Sequence, residues 1–152
     1  MSQRIGRVPF ISWAGVATAA ASAALGALWV TLTPTAEQTE LADRTWEEFA
    51  EQDPEFASLY SMDLRILGML GTGLGLLSAI VSVVPYRHGE RWAWYALWLL
   101  PVSFGGAAAR MLADRYSAGY VYAAISGVAV LGLLLPARSF LRSGGVGLPH
   151  SE

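Results

Sequence analysis

From Phe10 to Thr33 the chain carries no ionisable side chain, and this run is bracketed by Pro9 and Pro34. About 20 apolar residues in helical conformation cross a hydrocarbon core of ~30 Å. In lipid the backbone must satisfy its own hydrogen bonds, so such a run is expected to be a helix. Three further segments have the same character: about 64–84, ending at Pro85; about 92–112; and about 116–135, ending at Pro136. Charged residues make up 14% of the 152-residue chain, against roughly a quarter in soluble domains. The expected fold is therefore all-α, an integral membrane four-helix bundle in one domain over 1–142, with a flexible glycine-rich tail over 143–152.

The first segment has a rival reading. Arg4 and Arg7 resemble the basic start of a secretory signal, and Ala21–Ala23 resembles a cleavage site. However, the apolar run continues through "LGALWVTLT", beyond where a signal core ends. A retained span is the reading adopted.

Arginine placement sets the expected orientation. Arg4, Arg7, Arg87, Arg91, Arg138 and Arg142 share one side with Glu90 and Glu152. The opposite side holds Arg44, Arg65, Arg110 and Arg115 against the remaining acids, from Glu37 to Asp63 and Asp114. Both termini are thus expected in the cytoplasm of a bacterial-type inner membrane. The long connection over 34–62 is expected outside. It carries two helix starts. "TWEE" at Thr45–Glu48 has the capping-box spacing. "DPEF" at Asp53–Phe56 places aspartate at a cap and proline at the first helical position. Trp46, Phe49, Phe56 and Tyr60 fall at helical spacing and are candidate contacts, either with the bundle as a lid or with a partner.

"PYRHGERWAWYALWLLP", Pro85–Pro101, is read as a cytoplasmic turn. Arg87 suits a helix C-terminus and Glu90 a helix N-terminus. Gly89 supplies a positive φ for the reversal. Trp92 and Trp94 are expected at headgroup depth, where amphipathic rings are favoured. Arg87, Arg91, Trp92 and Trp94 are accordingly candidate contacts to a lipid headgroup or a partner. This stretch, with its glycine-rich span and the acidic "TWEEF…DPEF" loop, resembles uncharacterised small four-helix bacterial integral membrane proteins with a YRxGERWAW-type turn. The resemblance covers roughly Thr45 to Pro101. It implies the topology and no chemistry.

Intramembrane ionisable residues are the usual mark of transport or proton transfer, and none lies near a midplane. The chain has no cysteine, which removes disulfides, thiol redox chemistry and thiolate metal sites. Its two histidines lie in a turn and in the tail, unsuited to haem ligation. No catalytic set, metal site or cofactor is expected. A net charge of −2 argues against nucleic acid as a partner. One polar constellation remains: Asp63 and Arg65 at the start of span two, with Arg110, Asp114 and Arg115 at the turn between spans three and four. It is read as an interfacial ion-pair network, or as a polar pocket. Small-residue stripes at Ala14/Thr18/Ser22/Gly26, Gly71/Gly75/Ala79 and Gly119/Ala123/Gly127 let helices approach closely, and internal packing is the expected use. Pro101 is expected to kink span three. The partners expected are the bilayer and, in addition, another membrane protein or a second copy. The leading function is non-enzymatic, a structural or accessory component. The alternative is binding or transport of a lipid-like or apolar molecule.

Overall fold

The structure is a computed structural model that describes residues 7–33 and 46–142. The cap at Thr45, the acids Glu37, Glu40 and Asp43, and the tail over 143–152 lie outside the described residues. Within them, α1 (Phe10–Leu32), α2 (Trp46–Gln52) and α3 (Pro54–Val81) are followed by a π-helical turn, Ser82–Tyr86. Then come α4 (Arg91–Leu97), α5 (Leu99–Ala113), α6 (Ala118–Leu134) and α7 (Ala137–Arg142). Three helical runs, Phe10–Leu32, Pro54–Tyr86 and Arg91–Ala113, are long and apolar enough to cross a membrane. α6 is apolar but has 17 residues. The exposed surface of these helices is rich in large apolar side chains, among them Leu25, Leu70, Leu77, Val102, Val121 and Leu131, each at least 60% accessible. A contiguous surface of that kind suits lipid rather than water.

The helices order themselves through small residues. α1 is central, with extensive interfaces to α3 and to α6, while α6 in turn packs along α5. A Cβ placed on Gly75 of α3 would lie 2.7 Å from the Ala24 amide nitrogen and 2.8 Å from the Ala20 carbonyl of α1. The two backbones therefore touch there. Gly68 faces Thr31 and Gly71 faces Ala27 in the same way. On the adjoining face of α1, nearer its N-terminus, Gly132 of α6 faces Ser12 and Val16. Gly119 of α6 accommodates Leu112 of α5. Phe104 and Tyr122 stack across the same pair at 5.4 Å. Where α1, α5 and α6 come together, Ala19, Ala20, Ala23, Leu100 and Ala129 form one buried cluster, with Ala79 of α3 packed against it.

This arrangement differs from the expected stripe on α1. Thr18, Ser22 and Gly26 are exposed, and nothing lies within 4 Å of a Cβ built on Gly26. The buried face is instead Ser12, Val16, Ala19, Ala20, Ala23 and Ala24. α1 is so rich in small residues that the four-residue spacing occurs on several faces. The glycines of α3 and α6 decide which one is used. The α3 stripe is internal as expected, whereas on α6 only Gly119 is buried and Gly127 is open.

Proline shapes the helix ends. Asp53 caps α3, its carboxylate accepting from the Phe56 amide at 3.1 Å, with Pro54 at the first turn. α3 then runs unbroken into the membrane-length segment. Its helical winding does not stop at Pro85. Proline cannot supply the amide that the Val81 carbonyl would accept, and the chain widens into a π turn that closes with Arg87 N–H donating to Ser82 C=O at 3.1 Å. Pro101 likewise denies a donor to the Leu97 carbonyl, and the third span breaks at Trp98 into α4 and α5.

Both helix reversals around α4–α5 are built alike. At the first, Gly89 has φ 76°, with Gly89 N–H donating to Tyr86 C=O at 2.9 Å and Glu90 N–H to Pro85 C=O at 3.1 Å. At the second, Arg115 has φ 65°, with Arg115 N–H donating to Leu112 C=O at 3.1 Å and Tyr116 N–H to Met111 C=O at 2.9 Å. This paired pattern is the Schellman cap, which normally uses glycine. Arginine in that conformation carries a left-handed penalty of ~1–2 kcal/mol. Arg115→Gly is therefore expected to stabilise the fold by about 0.5–1 kcal/mol after the greater unfolded-state freedom of glycine is allowed for. Gly75→Ala is expected to destabilise it by about 1–3 kcal/mol by forcing α1 from α3. Gly73→Ala, where a Cβ meets nothing within 4 Å, should be neutral or stabilising by up to ~1 kcal/mol. Reversible unfolding in mixed micelles measures all three.

Candidate functional site

The densest polar arrangement lies at the arginine-rich end of the helices. It starts from one carbonyl. The residue four beyond Gly132 is Pro136, which has no N–H, so the Gly132 carbonyl loses its helical donor. Two side chains replace it. The Tyr86 hydroxyl donates to Gly132 O at 2.9 Å, and the Ser12 hydroxyl donates to the same oxygen. Ser12 Oγ and Tyr86 Oη are themselves 2.8 Å apart. One carbonyl further along, Leu133 O accepts from the Trp94 indole N–H at 2.9 Å. α1, the π turn, α4 and α6 are thus tied together at the last turn of α6.

Aromatic packing surrounds this knot. Phe140 of α7 is inserted between Trp94, at 5.5 Å and 10° between planes, and Tyr86, at 5.9 Å and 18°. Trp98 meets Trp94 edge-on at 5.9 Å. Val8, Val16, Ala93, Leu97 and Leu133 complete the buried cluster. Ser12, Tyr86 and Phe140 were not among the candidates drawn from the sequence. The signal that finds them is the spacing from Gly132 to Pro136, which orphans a carbonyl and demands donors from elsewhere.

The turn candidates separate into two groups. Trp94 is 7% exposed and belongs to the buried core, so it offers no surface for a headgroup or partner contact. A tryptophan with a reachable buried carbonyl is more favourably placed there than in the interface. Trp92 is 51% exposed, and its indole N–H donates to the Glu90 carboxylate at 2.6 Å. Arg87 lies with its guanidinium carbon 5.2 Å from the centroid of the Trp13 ring. Arg91 is partly buried beside them.

At the other end, the expected network reduces to one pair. Arg110 and Asp114 meet at 3.0 Å, one helical turn apart and well exposed, a geometry that contributes little to stability. Asp63, Arg65 and Arg115 are exposed. Among the described residues no ion pair joins Asp63 or Arg65 to Arg110, Asp114 or Arg115, because α3 and α5 have little contact with each other. The four loop aromatics are brought together. Trp46 meets Phe49 at 5.6 Å and Tyr60 at 6.4 Å, and Phe56 meets Phe49 at 5.8 Å and Tyr60 at 6.3 Å. They fold α2 back on the first turns of α3. They form no lid over Arg110 and Asp114, since α2 packs on α3. Glu47, Glu48, Glu51 and Glu55 point to the exposed side.

No family model, curated protein or solved structure matches the chain.

Nothing in the hydroxyl–carbonyl knot has the disposition of a nucleophile with a base, and its chemistry is that of an anchor. Tyr86→Phe leaves Gly132 with the Ser12 donor and should cost about 0.5–1.5 kcal/mol. Combining it with Ser12→Ala strands the buried carbonyl, and the double change should exceed the sum of the single ones by ~1 kcal/mol or more. In a Pro136→Ala background, where a backbone donor returns, the Tyr86→Phe cost should fall. Equilibrium unfolding of the set measures these couplings.

Proposed function

We propose that this chain is a non-enzymatic integral membrane protein whose work is association within the bilayer, with a second copy of itself or with another membrane protein. The single observation that carries this reading is the exposed face of α1. Thr18, Ser22 and Gly26 form a four-residue-spaced small stripe that no other helix among the described residues covers. Against lipid tails such a face gains little, whereas against another helix it allows backbone approach and hydroxyl bonding. The neighbouring face of α1 shows what glycine and alanine achieve in this chain, since there it holds both α3 and α6.

In this reading α6 is the fourth span of a bundle. Its 17 residues give ~25 Å at 1.5 Å per residue, within what local thinning of the bilayer accommodates. Arginine placement supports cytoplasmic termini in a bacterial-type inner membrane. The cysteine-free chain makes the test direct. Ser22→Cys and Gly26→Cys should form disulfide-linked dimers in native membranes. Leu77→Cys and Leu131→Cys, equally exposed on α3 and α6, should not. Gly26→Leu should abolish cross-linking through Ser22→Cys. Absence of cross-linking, together with loss of a co-purifying chain in Gly26→Leu, would assign the face to a different protein. Absence of both effects would sink the proposal.

A further inference from the structure

We infer that Arg7 and Arg87, with Trp13, form a docking site for the phosphate of an anionic phospholipid. The inference concerns a different surface from the α1 association face and rests only on the helices lying in a bilayer. Val8 N–H donates to Arg87 C=O at 3.2 Å, so the two arginines flank one backbone hydrogen bond. Both are exposed. The Arg87 guanidinium is held over the Trp13 ring at 5.2 Å, and Trp13 is itself braced edge-on by Phe10 at 5.1 Å. The ring face attracts the guanidinium and localises it without consuming its N–H donors, which remain for a bidentate hold on phosphate oxygens.

Among the described residues no acid neutralises these charges: neither Arg7 nor Arg87 makes an ion pair or a side-chain hydrogen bond. Glu90, the acid of this turn, accepts from Trp92. Phe10 and Ile11 follow directly on α1 and are 70% and 76% exposed. A phosphate above and an apolar surface below is the profile of a phospholipid at the headgroup boundary. A soluble anion would use the arginines and leave Phe10 and Ile11 bare.

The full-length protein in neutral detergent is titrated with dioctanoyl phosphatidylglycerol, with the matching phosphatidylcholine, and with inorganic phosphate, and bound lipid is counted by native mass spectrometry. Phosphatidylglycerol is expected to bind in preference to phosphatidylcholine. Arg87→Gln should weaken it by ~5-fold, the effect of about 1 kcal/mol per arginine at a lipid surface. Trp13→Leu keeps every charge and should still weaken it by ~3-fold through loss of the ring that localises the Arg87 guanidinium. Arg138→Gln, on the same end but outside the pair, should leave binding unchanged. Should Arg87→Gln fail to accumulate, Arg7→Gln replaces it with the same expectation. Equal weakening by Arg138→Gln, equal binding of the two lipids, or unchanged binding in Trp13→Leu would each overturn the site. Displacement of phosphatidylglycerol by millimolar inorganic phosphate would also overturn it, by showing a free-anion site.

Discussion

The rest of the structure depends on how closely α1 lets two other helices approach. A Cβ on Gly75 or Gly132 would collide with the α1 backbone. Those glycines bring α3 and α6 onto adjoining faces of one alanine-rich helix. In lipid there is no hydrophobic gain from hiding one apolar surface against another, so contact area and backbone proximity decide the pairing. α5 then follows α6 through the covalent turn at Arg115 and the Phe104–Tyr122 stack. Removing the close approach on α1 would leave α5–α6 as the one closely packed helical pair, with α1 and α6 joined chiefly by the knot at Gly132.

Three prolines supply the second organising constraint. Each deletes an amide from a helical ladder, and the carbonyl left behind needs another donor. At Pro85 the chain answers by widening into a π turn. At Pro101 it answers by breaking at Trp98, and the Pro101 carbonyl accepts from Ser126 of α6 at 3.0 Å. At Pro136 the Ser12 and Tyr86 hydroxyls take over. The last solution draws four segments into a single knot. In this chain the prolines create the polar demand that long-range contacts satisfy.

What was legible in the sequence follows from the range of each signal. The apolar runs, the Asp53 cap with Pro54 in the first turn and the positive φ at Gly89 all depend on neighbours within a few residues, and all could be read directly. Arg115 adopts the same left-handed conformation without glycine, so composition concealed it. The buried position of Trp94 depends on the Leu133 carbonyl, distant in sequence, and an aromatic next to a charged turn looked equally suited to the lipid boundary. The choice of face on α1 was beyond local pattern, because several faces of an alanine-rich helix meet the same spacing rule. The proposed dockings on α1 and at Arg87 were likewise visible as residue types only; their exposure emerged once the neighbours were in place.

The length of α3 has a mechanical consequence. Its 28 residues extend ~42 Å at 1.5 Å per residue, against a hydrocarbon core of ~30 Å. Set upright across such a core, a helix of that length would leave about 12 Å beyond it, and at its N-terminal end the aromatic cluster clasps α2. Such a helix is a lever. A tilt of ~10° about the end near the π turn carries the tip sideways by about 7 Å, a displacement set by helix length alone. Gly75 meets Ala24 toward the fulcrum end of α3, so by geometry alone a small rotation at that contact corresponds to a far larger displacement of α2 at the other end.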